Sequence, residues 1–254
     1  MEPSKKRVDG AADPAVRAPS GTVLRPRALS ASVYAAVLFD LDGTLCKSAQ
    51  SPETIYRGAF EAAGVEPFGE PDELWAALDD PPAVDDEVGY LASGFTKVAA
   101  RHGRTPVDAE ALARGFLETV DYAAVEPRPG ATAAVEAARR RSAVGLVTNG
   151  PESRQADKLE TLPFGDTFST VVFAGDLSRR KPHREPFERA IADLGVAPEE
   201  TLFVGDSLEY DVAGAQNARM AAAWYPGDGD DDPDPYRPDH VLGSLDELEE
   251  MLGR

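Results

Sequence analysis

A chain of 254 residues is long enough to bury a substantial core, as one sizeable domain or as a main domain carrying a smaller one. Its 45 acidic residues against 26 basic leave a formal net charge of −19, which argues against nucleic acid or an anionic membrane as the main partner, because both need a basic footprint. No apolar run approaches the ~20 residues that span a bilayer, and the single cysteine, Cys46, rules out an internal disulfide and fits a reducing cytoplasm.

Residues 1–33 are rich in Ala, Pro, Ser and Gly, carry Lys5, Lys6, Arg7, Arg17, Arg25 and Arg27, and show no sustained periodicity, so a disordered tail is expected there. The first buried strand is "AAVLFD" at 35–40. About a hundred residues then pass without a convincing strand, with helical patterns at 52–63, 71–78, 84–102 and 108–121. An ordinary crossover needs far less chain, so 47–127 is expected to be an inserted helical cap. Strands follow at 143–148, 170–175, 201–206 and 221–225, with helices at 131–141, 152–162, 184–194 and 210–218 between them. A short "HVL" at 240–242 and an amphipathic end with Ser244 and Glu247 as a capping box close the chain. The alternation implies an α/β fold, a parallel sheet covered on both faces, built from 34–46 and 128–254.

Polar clusters terminate these strands. "DLDGTL" places Asp40 and Asp42 at the mouth of the first strand, where uncompensated charge is costly to hold. "LVTNG" places Thr148 and Asn149 after the second, Lys181 in "RRKPH" follows the third, and "GDSLEYD" places Asp206 and Asp211 after the fourth. Parallel strands bring all of them to one edge of the sheet.

These four motifs, in this order, resemble the haloacid dehalogenase superfamily, and within it the phosphatases with an α-helical cap inserted after the first motif, as in the phosphoglycolate phosphatase-like branch. The resemblance spans roughly 35–250 and implies a doubly wound, Rossmann-like core. It implies that Asp40 attacks phosphorus to form an aspartyl-phosphate while Asp42 serves as general acid and then base. Thr148, Asn149 and Lys181 would hold the phosphoryl oxygens, and Mg²⁺ would be held by Asp40, Asp206, the backbone carbonyl of Asp42 and, directly or through water, Asp211. The dehalogenase branch lacks an aspartate at the Asp42 position, which makes a small phosphorylated metabolite the expected substrate. A phosphotransferase or mutase is the alternative, as is a silent binding protein of the same fold.

Other residues read more plainly. Tyr210 and Arg219 depart from the small or amide residue and the glycine common at those positions of the family. His102, His183 and His240 show no metal-ligand spacing. Cys46 reads as a small buried residue, while Trp75, Tyr90 and Phe95 read as helical core or pocket lining. Arg57, Arg101, Arg104 and Arg114 suit either a second anionic group of a substrate or the surface. The acidic runs at 79–87 and 227–234, with only 6 lysines in the chain, resemble the surfaces of proteins from salt-loving microbes.

Overall fold

The structure, a computed structural model, describes residues 34–78, 86–227 and 232–253. The tail at 1–33 and the acidic stretches at 79–85 and 228–231 lie outside these residues. In chain order the elements are β1 (Ala36–Phe39), β2 (Cys46–Ser48), α1 (Pro52–Ala63), α2 (Pro71–Trp75), α3 (Glu87–Arg101), α4 (Ala109–Thr119), β3 (Val125–Pro127), α5 (Ala131–Arg139) and β4 (Ala143–Thr148). There follow α6 (Glu152–Thr161), β5 (Thr170–Phe173), α7 (Glu185–Leu194), β6 (Thr201–Gly205), a π-helical turn (Leu208–Ala213) running into α8 (Gly214–Asn217), β7 (Ala221–Trp224), β8 (His240–Val241) and α9 (Glu247–Gly253).

The main sheet has the order β5-β4-β1-β6-β7-β8 and is parallel throughout. The chain leaves β1 in one direction to β4 and β5, then returns past it to β6, β7 and β8, so the winding reverses beside β1. Strand residues alternate between faces. Val37 and Phe39 enter one apolar cluster with Ala134 and Val135 of α5 and Leu248 of α9. Leu38 enters another with Phe187 and Ile191 of α7 and Ala215 of α8. Burial on both faces explains why the strand reads as a continuous apolar run.

Helices α1 to α4 enclose a third cluster around Tyr56, Phe60, Phe95 and Phe116. Three of these helices have a side chain at their start that caps them: Ser51 Oγ accepts from the Thr54 amide before α1, Asp86 caps α3 and Asp108 caps α4. Phe95 is core, whereas Trp75 is half exposed. Arg57 and Arg114 pair with Glu53 and Glu110 one turn away on the same helices and lie on the surface.

Three local expectations are corrected. The stretch read as free of strands contains β2 and β3, which pair antiparallel from Cys46 opposite Pro127 to Ser48 opposite Val125, with Lys47 and Glu126 in an ion pair at 3.1 Å. Strands of three residues whose partners lie some eighty positions apart leave no periodic signal. The helix expected at 210–218 begins as the π-helical turn. At the end of the chain, Ser244 Oγ accepts from the Asp246 amide while the Glu247 amide donates to the Ser244 carbonyl, in place of a capping box.

Candidate active site

β1 lies between β4 and β6, so their carboxyl ends open side by side where the winding reverses, the place at which open α/β sheets bind ligands. Asp40 follows β1, Thr148 ends β4 and Asp206 follows β6. The loop after β5 adds Lys181, and the π-helical turn adds Asp211. With Asp42, Asn149, Ser207 and Tyr210 they line a cavity of about 200 Å³. Every residue singled out for this chemistry in the sequence is therefore brought together.

Lys181 Nζ donates to Asp40 Oδ1 at 2.6 Å and to Asp211 Oδ1 at 2.7 Å, all three side chains being buried. The Ser207 amide donates to the other Asp211 oxygen, Oδ2, at 2.9 Å. Thr44 Oγ1 donates to Asp206 Oδ1 at 2.7 Å. The turn that delivers Thr44 passes through Gly43 at φ +85°, where a Cβ would also collide with the Asp206 carboxylate, so glycine is required twice over. Asn149 and Lys181 clasp each other: the Lys181 amide donates to Asn149 Oδ1 at 2.8 Å and Asn149 Nδ2 donates to the Lys181 carbonyl at 3.1 Å.

Burial pushes the Asp40 carboxyl above the usual carboxylate range, aided by Asp211 and Asp206 and opposed by Lys181. Burial likewise raises Asp206, against the Thr44 hydrogen bond. For Lys181 burial acts downward, yet Asp211 and Asp40 outweigh it and hold the ammonium above the usual lysine range. The cluster thus carries more negative charge than one lysine offsets. Asp40, Asp206 and Asp211 each present an oxygen within 4.8 Å of the others. An all-oxygen donor set with excess negative charge fits a hard divalent cation. No histidine belongs to the group; His102 faces Glu73 and His240 faces Tyr34.

The Asp42 carboxylate stands outside this cluster. Gln155 Nε2 donates to its Oδ2 at 2.6 Å and Lys158 Nζ to its Oδ1 at 2.7 Å, both from α6. Neither residue stands out in the sequence, because "ESRQADKLET" is polar all round; the i, i+3 spacing of Gln155 and Lys158 becomes a signal only once α6 is known to face the site. Thr44 is missed likewise. Cys46 lies beneath Asp42, its Sγ 3.9 Å from Oδ1, and burial followed by the Asp42 charge pushes its thiol up to about 12, so it is no nucleophile.

The sequence profile of the haloacid dehalogenase-like hydrolases matches residues 34–219, and the chain belongs to that family. It is similar to the phosphoserine phosphatase of Thermus thermophilus, 32% identical over 228 residues that cover 85% of this chain and 91% of the relative. It is also similar to a pyrimidine 5'-nucleotidase of Escherichia coli, 31% identical over 173 residues that cover 65% and 76% of the two chains. Among solved structures, a HAD-hydrolase of Bacillus subtilis crystallised with magnesium shares the fold, with a TM-score of 0.67 and 22% identity over 87% of this chain and 99% of that one. The protein is an enzyme of the phosphatase kind within this family, and no helix among its described residues is long and apolar enough to cross a membrane.

Proposed function

We propose that the protein hydrolyses a small-molecule phosphate monoester through an aspartyl-phosphate on Asp40, with Mg²⁺ held by Asp40, Asp206, Asp211 and the backbone carbonyl of Asp42. The observation that carries this reading is the convergence of Asp40, Asp42, Thr148, Lys181, Asp206 and Asp211 on one cavity. When bound, the cation supplies the positive charge that lets a carboxylate approach a doubly charged phosphoryl group.

Asp40 attacks phosphorus, and the bond from phosphorus to the ester oxygen breaks as Asp42 gives that oxygen a proton. Water then attacks phosphorus as Asp42 takes a proton from it, and the bond to Asp40 breaks to release inorganic phosphate. Thr148 donates to a phosphoryl oxygen and Lys181 balances the charge that develops. Since the Asn149 amide is engaged with the Lys181 backbone, its part is to fix the lysine loop rather than to hold phosphate by itself. Residues 47–127 act as a cap on a core of 34–46 and 128–254, with β2 and β3 as the joint. A separate apolar cluster within α1 to α4 supports that division. The acidic surface and single buried cysteine fit a salt-rich cytoplasm.

The test is phosphate release by the purified full chain from a panel of alkyl, sugar, amino-acid and nucleoside monophosphates, with Mg²⁺ and then with chelator. Metal-dependent release is expected. A folded protein that releases none, but passes phosphate to an added alcohol or sugar, would move the assignment to a phosphotransferase.

A further inference from the structure

We propose that Gln155 and Lys158 of α6 are positioning residues that hold the Asp42 carboxyl group beside the leaving oxygen, where its acid form gives that oxygen a proton and the carboxylate left behind is held by both donors; the proposal rests on the acid/base reading of Asp42 given above. Asp42 sits on an irregular turn with half of its side chain exposed, so packing alone does not fix the carboxylate. The two α6 groups do restrict it, because each takes one of its oxygens, at 2.6 and 2.7 Å.

The amide of Gln155 does more than satisfy itself. The residue is 2% exposed, and the same Nε2 donates at 2.6 Å to Thr148 Oγ1, so one buried NH₂ spans the acid/base and the proposed phosphoryl-holding hydroxyl. A carboxylate only accepts, which fixes which end of the amide faces Asp42. A Cβ at Gly150 would overlap the Gln155 amide, so the glycine of "TNG" clears the way for this contact. Lys158, one turn further along α6, has its Nζ bounded on a second side by the Tyr122 ring, 5.9 Å from the centroid. A buried glutamine must find partners somewhere. Here both partners belong to the proposed chemistry, and a proton donor displaced by about 1 Å can lose as much as a hundredfold in rate.

Leaving-group dependence tests this. p-Nitrophenolate departs without needing a proton, whereas an alkoxide needs one, so loss of a placed acid penalises alkyl esters selectively. The measurement is kcat/KM, which reports steps through phosphorylation of Asp40, for p-nitrophenyl phosphate and for the best alkyl ester of the panel, using the full chain with Mg²⁺. Lys158→Met is expected to lower the alkyl value at least about tenfold and the p-nitrophenyl value by less than about twofold, with Lys158→Arg recovering most of the loss; Gln155→Leu, which also releases Thr148, is expected to lower both values, the alkyl one by at least about tenfold more. Equal losses on both esters, or none, would overturn the proposal. Lys158 lies at the rim of the site, so its variants keep the test decisive if Gln155→Leu fails to fold. Asp42→Asn run alongside separates the two ideas. If it shows no alkyl-selective loss, the acid/base reading is at fault; if it does while the α6 variants do not, positioning alone is refuted.

Discussion

Lys181 is the one buried cation among the described residues, and it directly faces two carboxylates with a third close by. Replacing Asp40 by asparagine removes a carboxyl group whose ionised form burial and its two acidic neighbours disfavour, while the Lys181–Asp211 pair at 2.7 Å does not depend on it. Asp40→Asn is therefore expected to melt at or above the wild-type temperature in chelator, yet to lose at least about a thousandfold in kcat. The same variant should gain less from the cation. At a hundredfold excess over Kd, binding stabilises the native state by about 2.7 kcal/mol, and calorimetry with and without Mg²⁺ should show a smaller shift for the variant. Retained turnover would remove Asp40 as the nucleophile. Arg219 tests a different residue-scale effect: it stands at φ 65°, left-handed backbone that costs an L side chain roughly 1–2 kcal/mol. Its guanidinium reaches Glu199 at 2.9 Å, but that pair is exposed and worth at most about 1 kcal/mol. Arg219→Gly should raise Tm in a thermal melt, and a fall would mean that the ion pair outweighs the strain. The sequence marks Arg219 as standing in for glycine, and the backbone supplies the reason. Asp40, Thr148 and Asp206 were likewise legible, because each ends an apolar run that only a strand explains. Gln155 was not, since a polar residue in a polar helix carries no sign of the tertiary contact that buries it.

At the scale of elements, the strands of the main sheet and most of the helices up to α7 were legible because hydrophobic periodicity agrees with the final packing, with side-chain caps at α1, α3 and α4, whereas α6 was legible from its place between two strands. What escaped depends on partners far away in the chain. The ribbon of β2 and β3 exists because Cys46 and Pro127 come opposite one another once α1 to α4 have folded between them. The π-helical turn exists because its start is tied at both ends: Ser207 Oγ accepts from the Tyr210 amide while the Ser207 carbonyl accepts from Val212. Such turns recur at functional sites, and this one aims Asp211 at Lys181. The helical segment has a test of its own. Phe95 of α3 is fully buried, stacked on Tyr56 at 5.8 Å between centroids and edge-on to Phe60 and Phe116. Phe95→Ala should cost about 3–5 kcal/mol in denaturant unfolding. A loss below about 1 kcal/mol would show that the cluster closes over the gap. Because α3 also meets α6 through the Glu87–Arg154 pair at 2.5 Å, and α6 carries Gln155 and Lys158, the variant should also lower kcat/KM for the alkyl ester.

For the whole molecule the governing quantity is the excess of 19 negative charges. A compact chain of roughly this size has a radius of gyration near 18 Å, whereas the screening length is about 30 Å at 0.01 M salt and about 3 Å at 1 M. At low salt each surface carboxylate therefore repels charges across the entire fold; at high salt it senses only its neighbours. Salt also weakens the exposed ion pairs, such as Arg140–Glu249 and Arg184–Glu188, but pairs of this kind contribute at most about 1 kcal/mol each. They cannot offset repulsion that the net charge spreads over the whole surface. Tm measured in chelator should thus rise steadily as KCl goes from about 0.01 M to 1 M. Adding MgCl₂ should raise it further at concentrations too low to change ionic strength, because occupancy of the carboxylate cluster and general screening are separate effects. A Tm that stays flat or falls with KCl would mean that the ion pairs, not the excess charge, dominate the surface, and would remove the basis for placing the protein in a salt-rich interior.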